Sequence, residues 1–114
     1  MKKKKEILII EDYEEISRTF ESILQKNGYT TDIAQTSEEA MKKIRANSYA
    51  AAIIDAELPD STNILLKLAN FNIIKIVVTD YPEKAKLNGA DACLMKIVKP
   101  NELLCLMQKM LSKY

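Results

Sequence analysis

The chain has 114 residues, 47% hydrophobic and 29% charged, with a formal net charge of +1; this is the composition of one ordinary globular domain, with no global field for nucleic acid or an anionic membrane. It contains no histidine, two glycines and two cysteines, which excludes histidine triads, histidine zinc sites, Gly-rich dinucleotide loops, Walker-type P-loops and a disulfide framework. The basic run Lys2 to Lys5 reads as a solvated flank or a phosphate-binding arm, and only four apolar residues separate it from Glu11, too few for a signal peptide, so a reduced, cytoplasmic setting is expected.

Ile7 to Ile10 predict a first strand over 6–10, ending at Glu11-Asp12. A helix over 13–27 follows, with Ile16, Phe20, Ile23 and Leu24 in a helical stripe and Asn27-Gly28 as its stop. After a strand over 30–34, Thr36 opens a helix over 37–46 with Glu39 three residues later, a capping box, and Ala40, Met41 and Ile44 face inward. The third strand, 50–55, runs through Ala51-Ala52-Ile53-Ile54 into Asp55. A turn-like Leu58-Pro59-Asp60 leads to a helix over 62–70, and a strand over 73–79 ends at Thr79.

Between Thr79 and Gly89 there is room for barely two helical turns, with Pro82 at the start, so the helix over 82–88 is short. A strand over 91–95 carries Cys93 as a packed residue. The last helix, 100–112, begins at Pro100 and spreads Leu103, Leu104, Leu106, Met107, Met110 and Leu111 over nearly half its circumference, which fits core packing and also a partner surface.

Strand–helix alternation with nearly unbroken apolar strands predicts one α/β domain over 1–114, a doubly wound, flavodoxin-like (βα)5 fold with a five-stranded parallel sheet in the order 2-1-3-4-5. Ligands in such sheets bind beyond the carboxyl ends of the strands, where the order reverses between the first and third. Glu11, Asp12 and Asp55 end those two strands. Two carboxylates about 5 Å apart repel by about 3 kcal/mol at an effective dielectric of 20. A divalent cation relieves that repulsion, and oxygen-only ligands suit magnesium. Taken singly, Asp12 also reads as a helix N-cap, Asp55 as a polar strand end, Thr79 as an ordinary strand end and Lys96 as a solvated lysine.

Five segments in order resemble the receiver domain of bacterial response regulators in two-component signal transduction: Ile9-Ile10-Glu11-Asp12, Thr36 to Ala40, Asp55 to Pro59, Val77-Val78-Thr79 and Gly89 to Lys96. The resemblance implies that Asp55 is the phosphoacceptor, taking a phosphoryl group from a partner's phosphohistidine. Glu11, Asp12, Asp55 and the backbone carbonyl of Glu57 would hold Mg2+, and Thr79 and Lys96 would contact the phosphoryl oxygens. It implies a phosphoryl acceptor and not an enzyme, served by a sensor histidine kinase or phosphotransfer protein; the wide apolar face of the last helix beside the shortened fourth helix fits a homodimer or effector domain, and the charge balance predicts no direct contact with membrane or nucleic acid.

Lys99-Pro100 offers the Lys-Pro pair usual in the family, but spacing from Gly89-Ala90 and from Glu102-Leu103 assigns the family lysine to Lys96. Ile97 then replaces the proline, which puts the family's cis peptide in question. Asp80 stands where a small residue is usual; it reads either as a cap of the short helix or as a further charge beside the site. Cys93 takes the place of a switch aromatic. These departures leave a second reading, a pseudo-receiver that binds partners without phosphorylation. A flavodoxin-like carrier is disfavoured because the acidic loop Glu11 to Glu15 repels a ligand phosphate.

Overall fold

The computed structural model describes residues 6–112, so the Lys2 to Lys5 run lies outside the described residues. Its strands are β1 (Glu6–Ile10), β2 (Thr30–Ala34), β3 (Ala51–Asp55), β4 (Ile74–Val78) and β5 (Ala92–Leu94). All neighbours pair in parallel in the order β2-β1-β3-β4-β5. The crossovers are α1 (Glu14–Lys26), α2 (Ser37–Ala46), α3 (Ser61–Leu68), α4 (Pro82–Leu87) and α5 (Pro100–Leu111). This is the expected flavodoxin-like sheet, with a fourth helix of six residues.

The central strands look uniformly apolar because both sheet faces are covered, yet successive side chains still go to opposite cores. Leu8, Ile10, Ala52, Ile54 and Val77 meet Met41, Ile44, Leu65, Leu68 and Ala85 of α2, α3 and α4. Ile7, Ile9, Ile53, Ile76 and Val78 meet Phe20, Leu24, Leu103, Met107 and Leu111 of α1 and α5. On α1 the inward stripe is Ser17, Phe20 and Leu24, while Ile16 is exposed. Ser17 tolerates burial because its hydroxyl donates to the Glu14 carbonyl at 3.1 Å. On α5, Leu103, Met107 and Leu111 are buried and Leu104, Leu106 and Met110 are half-buried against the same core, so core packing accounts for most of its wide apolar face.

Both glycines end helices in the same way. Gly28 (φ +91°) donates to the Gln25 carbonyl and Tyr29 to that of Leu24; Gly89 (φ +103°) donates to Lys86 and Ala90 to Ala85. Each is a Schellman motif with glycine at the left-handed position. At the start of α2 the capping box is half-shifted. The Thr36 hydroxyl accepts from the Glu39 N–H at 3.1 Å, but the Glu39 carboxylate accepts from Gln35, one residue before the cap. Asp12 does not cap α1: the N-cap is Tyr13, with no side-chain hydrogen bond. Asp12 is thereby left free for the rim of the sheet.

Candidate functional site

The ladder runs one residue past β1, β3 and β4. Glu11 N–H donates to the Ala34 carbonyl at 3.0 Å, Ala56 N–H to Val78 at 3.0 Å and Thr79 N–H to Leu94 at 2.8 Å. These bonds fix the backbone where the side chains of Glu11, Asp55 and Thr79 leave the sheet, and all three are buried while Asp12 is exposed. One carboxylate oxygen each from Glu11, Asp12 and Asp55 lie within 4.8 Å of one another.

Burial, with Asp55 and Asp12 alongside, raises the Glu11 carboxyl from 4.5 to about 7, against the opposing pull of the Tyr13 N–H that its Oε2 accepts at 3.1 Å. Three carboxylates crowded together, with oxygen atoms alone as donors, are the set a hard divalent cation prefers. The residues fit magnesium.

The positive charge comes from 41 positions further along the chain than Asp55 (96 − 55 = 41). Lys96 Nζ lies 3.2 Å from Asp55 Oδ1 and is also paired with the Glu57 carboxylate. Partial burial works against the ammonium, but Glu57 and Asp55 outweigh it and hold its pKa above the usual lysine value. Asp55 Oδ1 also accepts the Glu57 N–H at 3.0 Å. Lys99 is elsewhere: it is the exposed N-cap of α5, and its N–H donates to Glu102. A carboxylate trio, a lysine on the central carboxylate and a buried hydroxyl at the next strand end can together hold a cation and a tetrahedral oxyanion.

The family model of the response regulator receiver domain matches residues 7–108. The chain is a receiver domain. It is 34% identical to a CheY-like receiver domain protein from Methanospirillum hungatei JF-1, over 97% of this chain and 96% of that one, with a TM-score of 0.90. A two-component response regulator from Clostridium difficile, 23% identical, superposes with a TM-score of 0.89 over 96% of this chain and 98% of its own. The Francisella response regulator 1452 receiver domain, 24% identical, gives 0.88 over 96% and 98%. Among curated proteins none matches.

The departures from the receiver pattern have distinct structural outcomes. The Lys96–Ile97 peptide is cis although residue 97 is isoleucine. Asp80 does not cap α4, whose N-cap is Tyr81 without a side-chain bond; it is exposed and makes no ion pair among the described residues. Cys93 is half-buried, its thiol donating to the Pro82 carbonyl at 3.7 Å, and burial raises its pKa.

The Glu57 side chain escaped the sequence reading, which used only its carbonyl. No local pattern marks it, because its pairing with Lys96 joins the loop after β3 to the one after β5. The loop that carries it is tied down by Ser61 Oγ on the Ala56 carbonyl (2.7 Å) and Ser37 Oγ on that of Pro59 (3.2 Å). No helix among the described residues is long and apolar enough to cross a membrane.

Proposed function

We propose that this receiver accepts a phosphoryl group on Asp55 from a phosphohistidine of a partner kinase or phosphotransfer protein, in a magnesium-dependent reaction that switches a protein-interaction surface. The carrying observation is Lys96 Nζ 3.2 Å from Asp55 Oδ1, inside a carboxylate trio whose oxygens lie within 4.8 Å. Glu11, Asp12 and Asp55, with the Glu57 carbonyl, would hold magnesium, whose charge offsets theirs and that of the incoming phosphoryl oxygens.

An Asp55 carboxylate oxygen attacks phosphorus as the P–N bond to the donor imidazole breaks, and the bonding pair leaves with the imidazole. Phosphoryl transfer of this kind demands positioning and dispersed positive charge more than acid–base chemistry. Lys96 supplies a point charge on a flexible stem, and the Thr79 hydroxyl a hydrogen bond to a phosphoryl oxygen. The donor histidine belongs to the partner, since this chain has none. The protein is consumed as a stoichiometric acceptor and is not an enzyme acting on a separate substrate. A phosphorylation-independent module would have no use for so costly a cluster of carboxylates, which favours the acceptor.

Amide NMR titration with magnesium, then with beryllofluoride as a phosphoryl mimic, tests this. Magnesium should shift Asp12, Asp55 and Glu57, and beryllofluoride should add a saturating change reaching Thr79 and Lys96. Asp55→Ala should keep the fold and lose the second response. An unchanged wild-type spectrum on both additions would overturn the proposal.

A further inference from the structure

The helices α2 and α3 lie side by side on one face of the sheet and carry the same charge pattern. Glu38 stands in the first turn of α2 and Arg45 in its last, seven residues later. Asp60 is the N-cap of α3, and Lys67 follows it by seven residues in the last turn. Seven residues are about two helical turns, about 10.5 Å, and return to the same helix face. All four side chains line one groove of about 330 Å3 between the helices, with Met41 and Ile64 at mid-height. Both helices run against the strands, so the groove is acidic at one end, apolar in the middle and basic at the other.

Acids at helix starts and bases at helix ends suit each helix's own dipole. That explains their order along the helix but not their convergence on one groove. None of the four makes an ion pair among the described residues, whereas Arg18, Lys75 and Lys96 all do. Asp60 does not even cap its own helix, since its side chain makes no bond there. Nor can the two ends of the groove satisfy each other, because their separation is on the order of the screening length at physiological salt.

A face that reads acid, apolar, base becomes its own complement when turned end for end. A two-fold axis through the middle of the groove sets Glu38 and Asp60 of one copy against Arg45 and Lys67 of the other, twice over, as an isologous interface requires. An acidic or a basic partner would use one end of the groove; a second copy uses both. Leu66, 52% exposed one helical turn on from Asn63 of the groove wall, adds an apolar side chain to this face. The net charge of +1 sets up no general repulsion between copies.

We propose that two copies of this receiver associate through their α2–α3 faces, antiparallel, by exchange of these acid and base layers. The interface is separate from α5, whose apolar side is taken up by the core. Its exposed charges make the dimer weak and salt-sensitive.

Sedimentation equilibrium, over a concentration series reaching the millimolar range, tests this. Wild type should dimerise at low salt and dissociate as salt is raised. Glu38→Lys and Arg45→Glu each bring like charges together at two symmetry-related contacts, so each alone should weaken the dimer at least about tenfold. An equimolar mixture of the two variants should associate again, because opposite charges then meet at both contacts, and the double variant should recover in the same way. Leu66→Asp, away from both helix ends, should weaken the dimer without touching the charge pattern. Amide shifts on dilution of wild type should cluster on α2 and α3. A monomer at every concentration at low salt would overturn the proposal. So would a dimer indifferent to both single reversals, a mixture that fails to recover, or dilution shifts confined to α5.

Discussion

A carboxylic acid buried beside two others is easier to keep protonated than to ionise, and Glu11 carries that conflict into the stability of the whole domain. Its pKa is about 7 in the folded protein against 4.5 in a free chain. Between those values Glu11 binds more protons in the folded state than in the unfolded one, so the stability this group contributes is greatest below about pH 4.5 and falls as pH rises to about 7. The loss should be on the order of 2 kcal/mol, allowing for screening by solvent at the rim. Urea unfolding of wild type and Glu11→Gln in the presence of a chelator should show a difference that grows across this window and levels off above it. A difference independent of pH would mean that Glu11 is not strained.

Lys96 makes the complementary prediction. Lys96→Ala should weaken beryllofluoride binding at least tenfold, equivalent to about 1.4 kcal/mol, and Lys99→Ala should leave it within about twofold; titration calorimetry decides between them. The choice of Lys96 over Lys99 was legible by counting from both flanks. The Glu57–Lys96 pair was not, because it depends on how a loop after β3 folds toward one after β5, and no local pattern encodes that.

At the scale of elements, the signals that survived folding were those with a local physical cause. Pro82 and Pro100 begin helices, where a missing N–H costs nothing. Asn27-Gly28 ends α1 because the chain must turn left-handed there. The α1 stripe was harder: Ile16 is exposed and Ser17 buried, since the stripe's direction depends on what α5 covers, and hydropathy undervalues a serine that satisfies its hydroxyl on its own helix. The caps are testable because, beyond the adjoining residues of the chain, a Cβ at Gly28 or Gly89 would meet open space. Substitution there costs conformational energy without a clash. Gly89→Ala should destabilise by about 1–2 kcal/mol, seen as a lower urea midpoint at unchanged slope. An unchanged midpoint would show that the α4 terminus contributes nothing to global stability.

For the molecule as a whole, strand–helix alternation and right-handed crossovers favoured the doubly wound sheet that is observed, and the reversal between β1 and β3 is where the carboxylates gather. That coincidence couples the site to the fold. A cation bound by Glu11, Asp12 and Asp55 binds only when β1 and β3 are paired, so it should stabilise the domain by mass action, about 2.7 kcal/mol at a hundredfold excess over its dissociation constant. For a domain of this size that raises Tm by roughly 10 °C. Protons compete for the same oxygens, and Glu11 with a pKa of about 7 is where they compete best. The magnesium-induced rise in Tm should therefore be larger at pH 8 than at pH 5.5, and a chelator should reverse it at both. Asp12→Asn should reduce the rise at either pH, because the exposed member of the trio contributes charge without holding the sheet together. An equal rise at pH 8 and pH 5.5 would mean that the cation binds away from Glu11 and that the strain in this carboxyl is not what magnesium relieves.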